Sequence, residues 1–525
     1  ITLPYADDFC ITTSNKRTHQ KLLNDIKLKI ETMGLQLKPS KCRSFSISSG
    51  KPTNIEFKVG EDTIPSIEHE EQKFLGAKLF FTGKSKEVFI YIRDILSTKL
   101  HNIDKANIRG EYKAAIYHRY LLPSLRFLFT IHDITKTHLQ KLDKISDKFL
   151  KSWIGLPRCA TTSIIHLKNT LDIKTLRHLH DESHALAHTN SRLKSDETVN
   201  LALDNKIERE SKWKRKKSTA VDSERLLEAA KGQLKESPQQ ANPSKVCKTI
   251  IKKKLQENET TKIADHISNL IKQGQFMQLL ITSEEDATWK SFVYKLPKST
   301  MKFILNSNID TLPSKANLTQ WGKTTSDKCK LCGERETTHH ILNCCKPSLD
   351  QGRYTYRHDS ILSYIYDLLD KDLYTICCDL PHLTSSSGST IPINVVVTTQ
   401  IPDLVITSHD EKKMWIFELT VPFETRIDEA HAIKESKYDS LLNDIEDRGY
   451  EVHYEAFEVG SRGHISEDNI GRLKRILKLC SSKHSAKSFI KNISFILATA
   501  SYAIFAARNQ PEWKENTRYI EPLFN

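Results

Sequence analysis

Apolar positions along the chain change their period several times, and each change marks an element. Ile1-Thr2-Leu3-Pro4 and Phe9-Cys10-Ile11 flank a polar tip that follows Tyr5, so a strand, a tight turn and a second strand are expected. From Lys16 to Met33 the residues Leu22, Ile26, Ile30 and Met33 recur at helical spacing, and Gly34 stops the run. Phe45-Ser46-Ile47 alternates like a strand. Helical spacing returns from Lys84 to Ile154 through Ile90, Ile92, Ile95, Leu96, Ile116, Tyr120, Leu121 and Leu128. Further helix is expected over Leu171 to Thr189 and again from Ile263 to Leu305.

The last third reads differently. Arg357-His358-Asp359 opens a helix carrying Ile361, Leu362, Ile365, Leu368 and Leu369, and a polar loop follows at Ser385 to Thr390. Strand-like runs are expected at Ile391 to Thr398, at Asp403 to Ile406 and at Met414 to Val421. A helix from His431 to Tyr438 separates them from two last strands, Tyr450 to Tyr454 and Phe457 to Gly460. The apolar run from Ile493 to Ala507 falls short of the ~20 residues that span a bilayer. It is read as a buried C-terminal helix, and no membrane partner is expected. The whole is expected to be a multidomain α+β protein.

Length and charge extend this picture. A chain of 525 residues is too long for one core and implies three or four domains. The formal charge of +14 and the pI of about 9.0 point to a polyanionic partner. Residues 191–256 are charged and poor in large apolar side chains. Lys212, Lys214, Arg215, Lys216 and Lys217 form one basic run, Lys252, Lys253 and Lys254 another, and a Pro-Gln-Gln-Ala-Asn-Pro loop lies between them. Such runs track phosphates; a solvated helical linker would have the same composition.

The eleven cysteines are unevenly spread and odd in number, which argues for a metal site and not for a disulfide framework. Cys329-Lys330-Leu331-Cys332-Gly333 has the turn geometry that presents two thiolates to one ion. A tetrahedral zinc needs two more ligands, and two registers supply them: His339 with Cys344, or His340 with Cys345. His178, His180, His184 and His188 are spaced along one helix, but no carboxylate pattern completes a site there.

Two pairs of acids carry possible catalysis. Asp7 and Asp8 sit at the tip of the first hairpin, where they can hold Mg²⁺ against a nucleoside triphosphate. Asp403 and Glu418 are separated by fourteen residues, a hairpin length that places both at one end of a sheet with Mg²⁺ between them. Simple nucleases of this pattern put a lysine two residues after the second acid, and here that position is Thr420. Lys434 and Lys437 lie on the next helix at i, i+3 and so share a face.

Taken in order, these parts resemble a known family. Hairpin, helix, Gly34-Leu35-x-Leu37-x-x-x-Lys41-Cys42 and strand resemble the palm of a reverse transcriptase, with Tyr5-Ala6-Asp7-Asp8 in the place of its catalytic motif and Phe74-Leu75-Gly76 in that of its primer grip. Glu336-Thr337 before His340-Ile341-Leu342-x-x-Cys345 resembles the zinc knuckle of non-long-terminal-repeat retrotransposons of the restriction-like-endonuclease type. Pro402-Asp403, then Glu418-x-Thr420-Val421-Pro422, then Lys434-x-x-Lys437-Tyr438 resembles the nuclease of the same elements.

The resemblance implies residues 1–83 as partial palm, 84–190 as thumb, 191–325 as basic helical linker, 326–348 as knuckle and 349–525 as endonuclease with C-terminal helices. It selects Cys329, Cys332, His340 and Cys345 for structural zinc. It implies Asp403 and Glu418 as magnesium ligands, catalytic roles for Lys434 and Lys437, and accessory roles for Tyr5, Lys41 and Tyr438. It further implies element RNA and target DNA as partners, deoxynucleoside triphosphates for the full-length protein, and nuclear action after cytoplasmic synthesis. A domesticated, non-catalytic nucleic-acid-binding protein is the alternative expectation. The family's palm uses a third aspartate from an earlier strand, so Asp7 and Asp8 are read as two-thirds of a metal site in the C-terminal part of a longer polyprotein. Primer extension is therefore expected to be absent from the 525-residue chain and present in one extended upstream, where Asp7→Ala abolishes it. Extension by the 525 residues alone would contradict the palm reading.

Overall fold

The computed structural model describes residues 2–5, 8–68, 72–74, 76–81, 85–132, 134–194, 196–212, 219–235, 243–283, 290, 295–381, 383, 388–408, 410–481 and 485–513. The chain is mixed helix and sheet and divides into two compact units, each built from separate stretches. One comprises Ile1–Lys105, Arg119–Ile145 and Leu176–Lys252; the other comprises Ala106–His118, Ser146–Thr175 and Lys253–Asn525.

In the first unit, strands Thr2–Tyr5 and Asp8–Ile11 form the expected hairpin, with Tyr5 paired to Asp8. Helix Lys16–Thr32 follows, started by Asn15, whose side chain accepts from Thr18 N–H. Its buried contact is Leu23, which packs with Phe57, Val59 and Ile64, whereas Met33, expected on the apolar stripe, is 74% exposed. The described strands of this unit form separate two-stranded hairpins, including Gln72–Phe74 with Ala77–Leu79 at the expected primer-grip position.

The long helical run resolves into Ser85–Lys105, Gly110–Ile116, Leu122–Ile131 and Lys136–Ile154. Helix Ser85–Lys105 buries Val88, Ile92, Leu96 and Leu100, a clean i, i+4 stripe, while Ile90 from the expected pattern is 38% exposed. The run expected from Ile263 to Leu305 is also broken: helices Pro243–Ser268, Gln275–Thr282 and Lys298–Asn308 replace it. Gly274 makes one break, because a Cβ there would stand 2.3 Å from the Ile267 carbonyl oxygen and 2.4 Å from that of Leu270.

The second unit holds the sheet. Helix α1 (Arg353–Leu368) precedes strand β1 (Tyr374–Cys378), β2 (Leu404–Ser408) and β3 (Lys413–Thr420). Helices α2 (Ile427–Glu435) and α3 (Asp439–Glu446) lead to β4 (Glu451–Glu458), and α4 (Glu467–Leu477) and α5 (Ala486–Ala506) complete it. The strand order is β4-β3-β2-β1, with β3 and β4 parallel and the other pairs antiparallel.

Alternation along the strands buries both faces. Leu404, Ile406, Phe417 and Leu419 face a core shared with α1, α4 and α5. Val405, Met414 and Ile416 face Tyr438, Leu441 and Ile445 on the other side. Helix α5 is long and apolar enough by composition to cross a membrane, yet 72% of its apolar window is buried in this unit. It outruns the apolar stretch of the sequence because Ser485 caps it upstream, accepting from Ser488 N–H.

Two expectations fail here. Ile391 to Thr398 is no strand: Pro392 cannot donate to a ladder, and its carbonyl instead accepts from Val395 and Val396 N–H in a turn. That turn folds Ile391, Val395 and Val396 into the core, and the edge place in the sheet goes to β1, which pattern reading passed over. The two last strands are one, β4. Phe489 of α5 is fully buried and stacks on Tyr364 at 5.8 Å. Phe489→Ala is expected to destabilise this unit by roughly 3–5 kcal/mol, seen as faster amide exchange across β3; unchanged exchange would put α5 outside the core.

Candidate metal centre and acid–lysine cluster

Cys329 and Cys332 lie on a tight knuckle. Cys329 N–H donates to the Glu334 carbonyl at 2.6 Å, and Gly333 N–H donates to the Cys329 carbonyl at 3.0 Å with Gly333 at φ +80°, in the left-handed region. A π-helical turn, His340–Cys344, brings back the other two donors. Sulfur and nitrogen atoms of Cys329, Cys332, His340 and Cys345 all lie within 4.8 Å of one another. Neighbouring ligands of a tetrahedral zinc with Zn–S of about 2.3 Å stand roughly 3.7 Å apart, so this Cys₃His donor set fits the ion. Burial keeps the His340 imidazole neutral, as a ligand must be. Burial and the neighbouring Cys329 and Cys345 sulfurs push the Cys332 thiol up to about 11, a crowding that a dication reverses.

The competing register stays apart. His339 Nε2 is 3.2 Å from Cys344 Sγ, with the imidazole ring packed 4.6 Å from Phe423 and Cys344 exposed. The knuckle is pinned to α1 through Tyr354, whose hydroxyl accepts from Cys345 N–H at 3.0 Å and lies 3.1 Å from the Ile341 carbonyl.

Sheet register builds the second cluster. Leu404 pairs with Phe417, so Asp403, one residue before β2, falls beside Glu418 of β3. Backbone and side chains interlock there: Asp403 N–H donates to Glu418 Oε2 at 3.2 Å, and Leu419 N–H donates to Asp403 Oδ2 at 2.7 Å. Glu418 is 1% exposed. Lys434 Nζ pairs with its Oε1, Lys437 Nζ reaches the same oxygen at 3.1 Å, and the Tyr438 hydroxyl donates to Oε2 at 3.2 Å. Burial, then the Glu418 and Asp403 charges, push the Tyr438 hydroxyl well above its ordinary range, so it remains a donor.

The shared helical face of Lys434 and Lys437 is corrected. Helix α2 ends at Glu435, and Lys437 lies in the turn before α3, whose N-cap is Tyr438. Both ammonium groups and the Tyr438 hydroxyl nonetheless reach Glu418 across this break. Thr420, where simple nucleases carry lysine, lines a cleft of about 580 Å³ with His358, Asp359, Asp379, Arg357 and Asn343.

Sequence reading assigned no role to His358. The structure places its Nε2 3.2 Å from Asp403 Oδ2 and its Nδ1 2.9 Å from Asp359 Oδ1. Burial opposes the imidazolium, but hydrogen bonds and charges of Asp359 and Asp403 outweigh it and raise its pKa to about 10. Asp379 is pushed up by burial and by Asp403 and Asp359 nearby. The available signal was the Arg-His-Asp run at the start of an apolar helix.

The remaining candidates separate. Asp7 lies outside the described residues, as do Lys214, Arg215, Lys216 and Lys217; for Tyr5, Asp8 and Lys212 only the backbone is described. Lys41 is exposed at the end of the Pro39–Lys41 turn. Lys252, Lys253 and Lys254 are exposed on helix Pro243–Ser268. His178, His180 and His188 are buried and individually paired, with Glu182, Asp181 and Glu224 respectively, so they form no ligand group among the described residues.

No family profile matches the chain. Over 172 residues it is 24% identical to the retrovirus-related Pol polyprotein from type-1 retrotransposable element R2 of Nasonia vitripennis, covering 31% of this chain and 16% of the relative. Over 170 residues it is 26% identical to the retrovirus-related Pol polyprotein from type-2 retrotransposable element R2DM of Drosophila melanogaster, again 31% and 16%. The matched part spans about a sixth of each relative. Both likenesses are to Pol polyproteins of R2 retrotransposable elements.

Zinc content tests the knuckle. Purified chain is expected to carry one zinc, Cys332→Ser and His340→Ala to lose it together with local folding, and His339→Ala to keep it. Zinc retained by His340→Ala and lost from His339→Ala would reverse the register.

Proposed function

We propose that the chain is the C-terminal part of a retrotransposon reverse transcriptase and endonuclease, which nicks target DNA and uses the exposed 3′-hydroxyl to prime reverse transcription of element RNA. The observation that carries this reading is the convergence of Lys434, Lys437 and Tyr438 on Glu418 beside Asp403. The likeness to the two Pol polyproteins supports the wider role. In this reading Asp7 and Asp8 belong to the polymerase palm, the Cys₃His knuckle holds structural zinc, and the exposed lysines at 252–254 contact phosphates. Deoxynucleoside triphosphates serve the full-length protein, and the nucleus is the place of action.

Asp403 and Glu418 would hold Mg²⁺. The donors fit: two carboxylates lie side by side at the end of adjacent strands, and Asp403 Oδ1 accepts no hydrogen bond among the described residues. Bound there, Mg²⁺ polarises a phosphate and lowers the pKa of water. The chain's own groups do the rest. Lys434 and Lys437 neutralise Glu418 in the ion-free chain, and an ammonium released from it is placed to orient water or to stabilise charge developing on the phosphate. Tyr438 donates its one hydroxyl hydrogen to Glu418, with the Ile401 carbonyl, just before Asp403, as its alternative acceptor at 3.3 Å.

Nicking of supercoiled plasmid in Mg²⁺ is the test. Asp403→Ala and Glu418→Ala are each expected to cost about 4 kcal/mol of transition-state stabilisation, roughly a thousand-fold in rate, with DNA binding nearly intact. Lys434→Ala should cost more than Lys437→Ala, because its side chain is 23% exposed against 43%. Equal nicking by wild type and both acid variants would refute the assignment.

A further inference from the structure

The two oxygens of Asp403 are treated differently. Oδ2 takes both the Leu419 N–H at 2.7 Å and His358 Nε2 at 3.2 Å, and Oδ1 takes nothing among the described residues. His358 is itself held, because Asp359, its neighbour on α1, lies 2.9 Å from Nδ1. Both imidazole nitrogens therefore face carboxylate oxygens, and the ring has one orientation that satisfies both. The Asp403 backbone is tied as well, since its carbonyl accepts from Asp379 N–H at 2.9 Å. Carboxylates that bind metal are commonly oriented by such outer hydrogen bonds.

We propose that His358, oriented by Asp359, is a positioning residue that clamps Oδ2 of Asp403 and so presents Oδ1 to a divalent cation. The proposal deepens the nuclease reading and rests on it. It uses a side chain from α1, outside the strand pair that carries the acids, and makes the ligand geometry depend on how α1 packs. His358 is 22% exposed, lines the cleft and belongs to neither apolar core of the sheet.

The side chains that replace His358 separate positioning from bulk. Glutamine places an amide N–H near the Nε2 position and can still donate to Asp403. Asparagine reaches Asp359 but stops short of Asp403, and alanine does neither. The full chain and these three variants are compared with Asp403→Ala by Mn²⁺ binding, read by electron paramagnetic resonance without DNA, and by the Mg²⁺ concentration giving half-maximal nicking. His358→Ala and His358→Asn are expected to weaken Mn²⁺ binding and raise the Mg²⁺ midpoint on the order of 10–100-fold, with DNA affinity and thermal midpoint unchanged. His358→Gln should stay close to wild type. Wild-type Mn²⁺ affinity and Mg²⁺ midpoint in His358→Ala would overturn the proposal, and so would a glutamine variant as impaired as alanine. A wild-type chain that neither binds Mn²⁺ nor nicks would instead remove the nuclease reading, and the proposal with it.

Discussion

A carboxylate buried at the end of a sheet is the constraint around which the second unit is arranged. Glu418 is 1% exposed, and an unpaired charge in that position would cost several kcal/mol. The chain supplies two ammonium groups and a phenol, from Lys434, Lys437 and Tyr438. All three reach it although α2 stops at Glu435 and α3 begins only at Asp439, with Tyr438 as its N-cap. The Tyr438 hydroxyl also lies 3.3 Å from the Ile401 carbonyl, two residues before Asp403. Removing one cation would leave the others, but removing Glu418 would leave two lysines and a tyrosine facing one another.

The knuckle connects to the same place. Asn343 Nδ2 donates to the Val421 carbonyl at 2.9 Å, and the fully buried Arg357 donates to that oxygen at 3.2 Å. Val421 directly follows β3, and Asn343 and Arg357 line the cleft that His358 and Thr420 share. The knuckle, through Asn343, and α1, through Arg357, are thus joined to the end of β3 by two hydrogen bonds to one carbonyl. Four protein donors of this kind would fill a tetrahedral zinc and leave no position for substrate.

Sequence reading reached some of this and missed the rest for physical reasons. The acids were legible because a hairpin length and two apolar runs leave few ways to place Asp403 and Glu418. Spacing alone left two knuckle registers open, since His339–Cys344 and His340–Cys345 have the same internal gap; the fold separates them by turning His339 toward Phe423. The break between Lys434 and Lys437 was invisible because no glycine or proline marks it. His358 was hidden because its partner Asp403 lies 45 residues away in the chain. The Ile391 to Thr398 run misled because β-branched residues pack equally well in a turn folded onto the core. The first hairpin and the helix after it were readable as elements, while Asp7 at the hairpin tip and most of the first basic run lie outside the described residues.

The central claim is that Asp403 and Glu418 together hold a divalent cation. Iron(II) loaded in place of magnesium, with ascorbate and peroxide, releases hydroxyl radicals that cut the polypeptide close to the ion. The account predicts cuts beside Asp403 and around Glu418 to Thr420, suppressed by excess Mg²⁺ and absent from Asp403→Ala. Cleavage elsewhere, or cleavage at these positions that persists in Asp403→Ala, would contradict it.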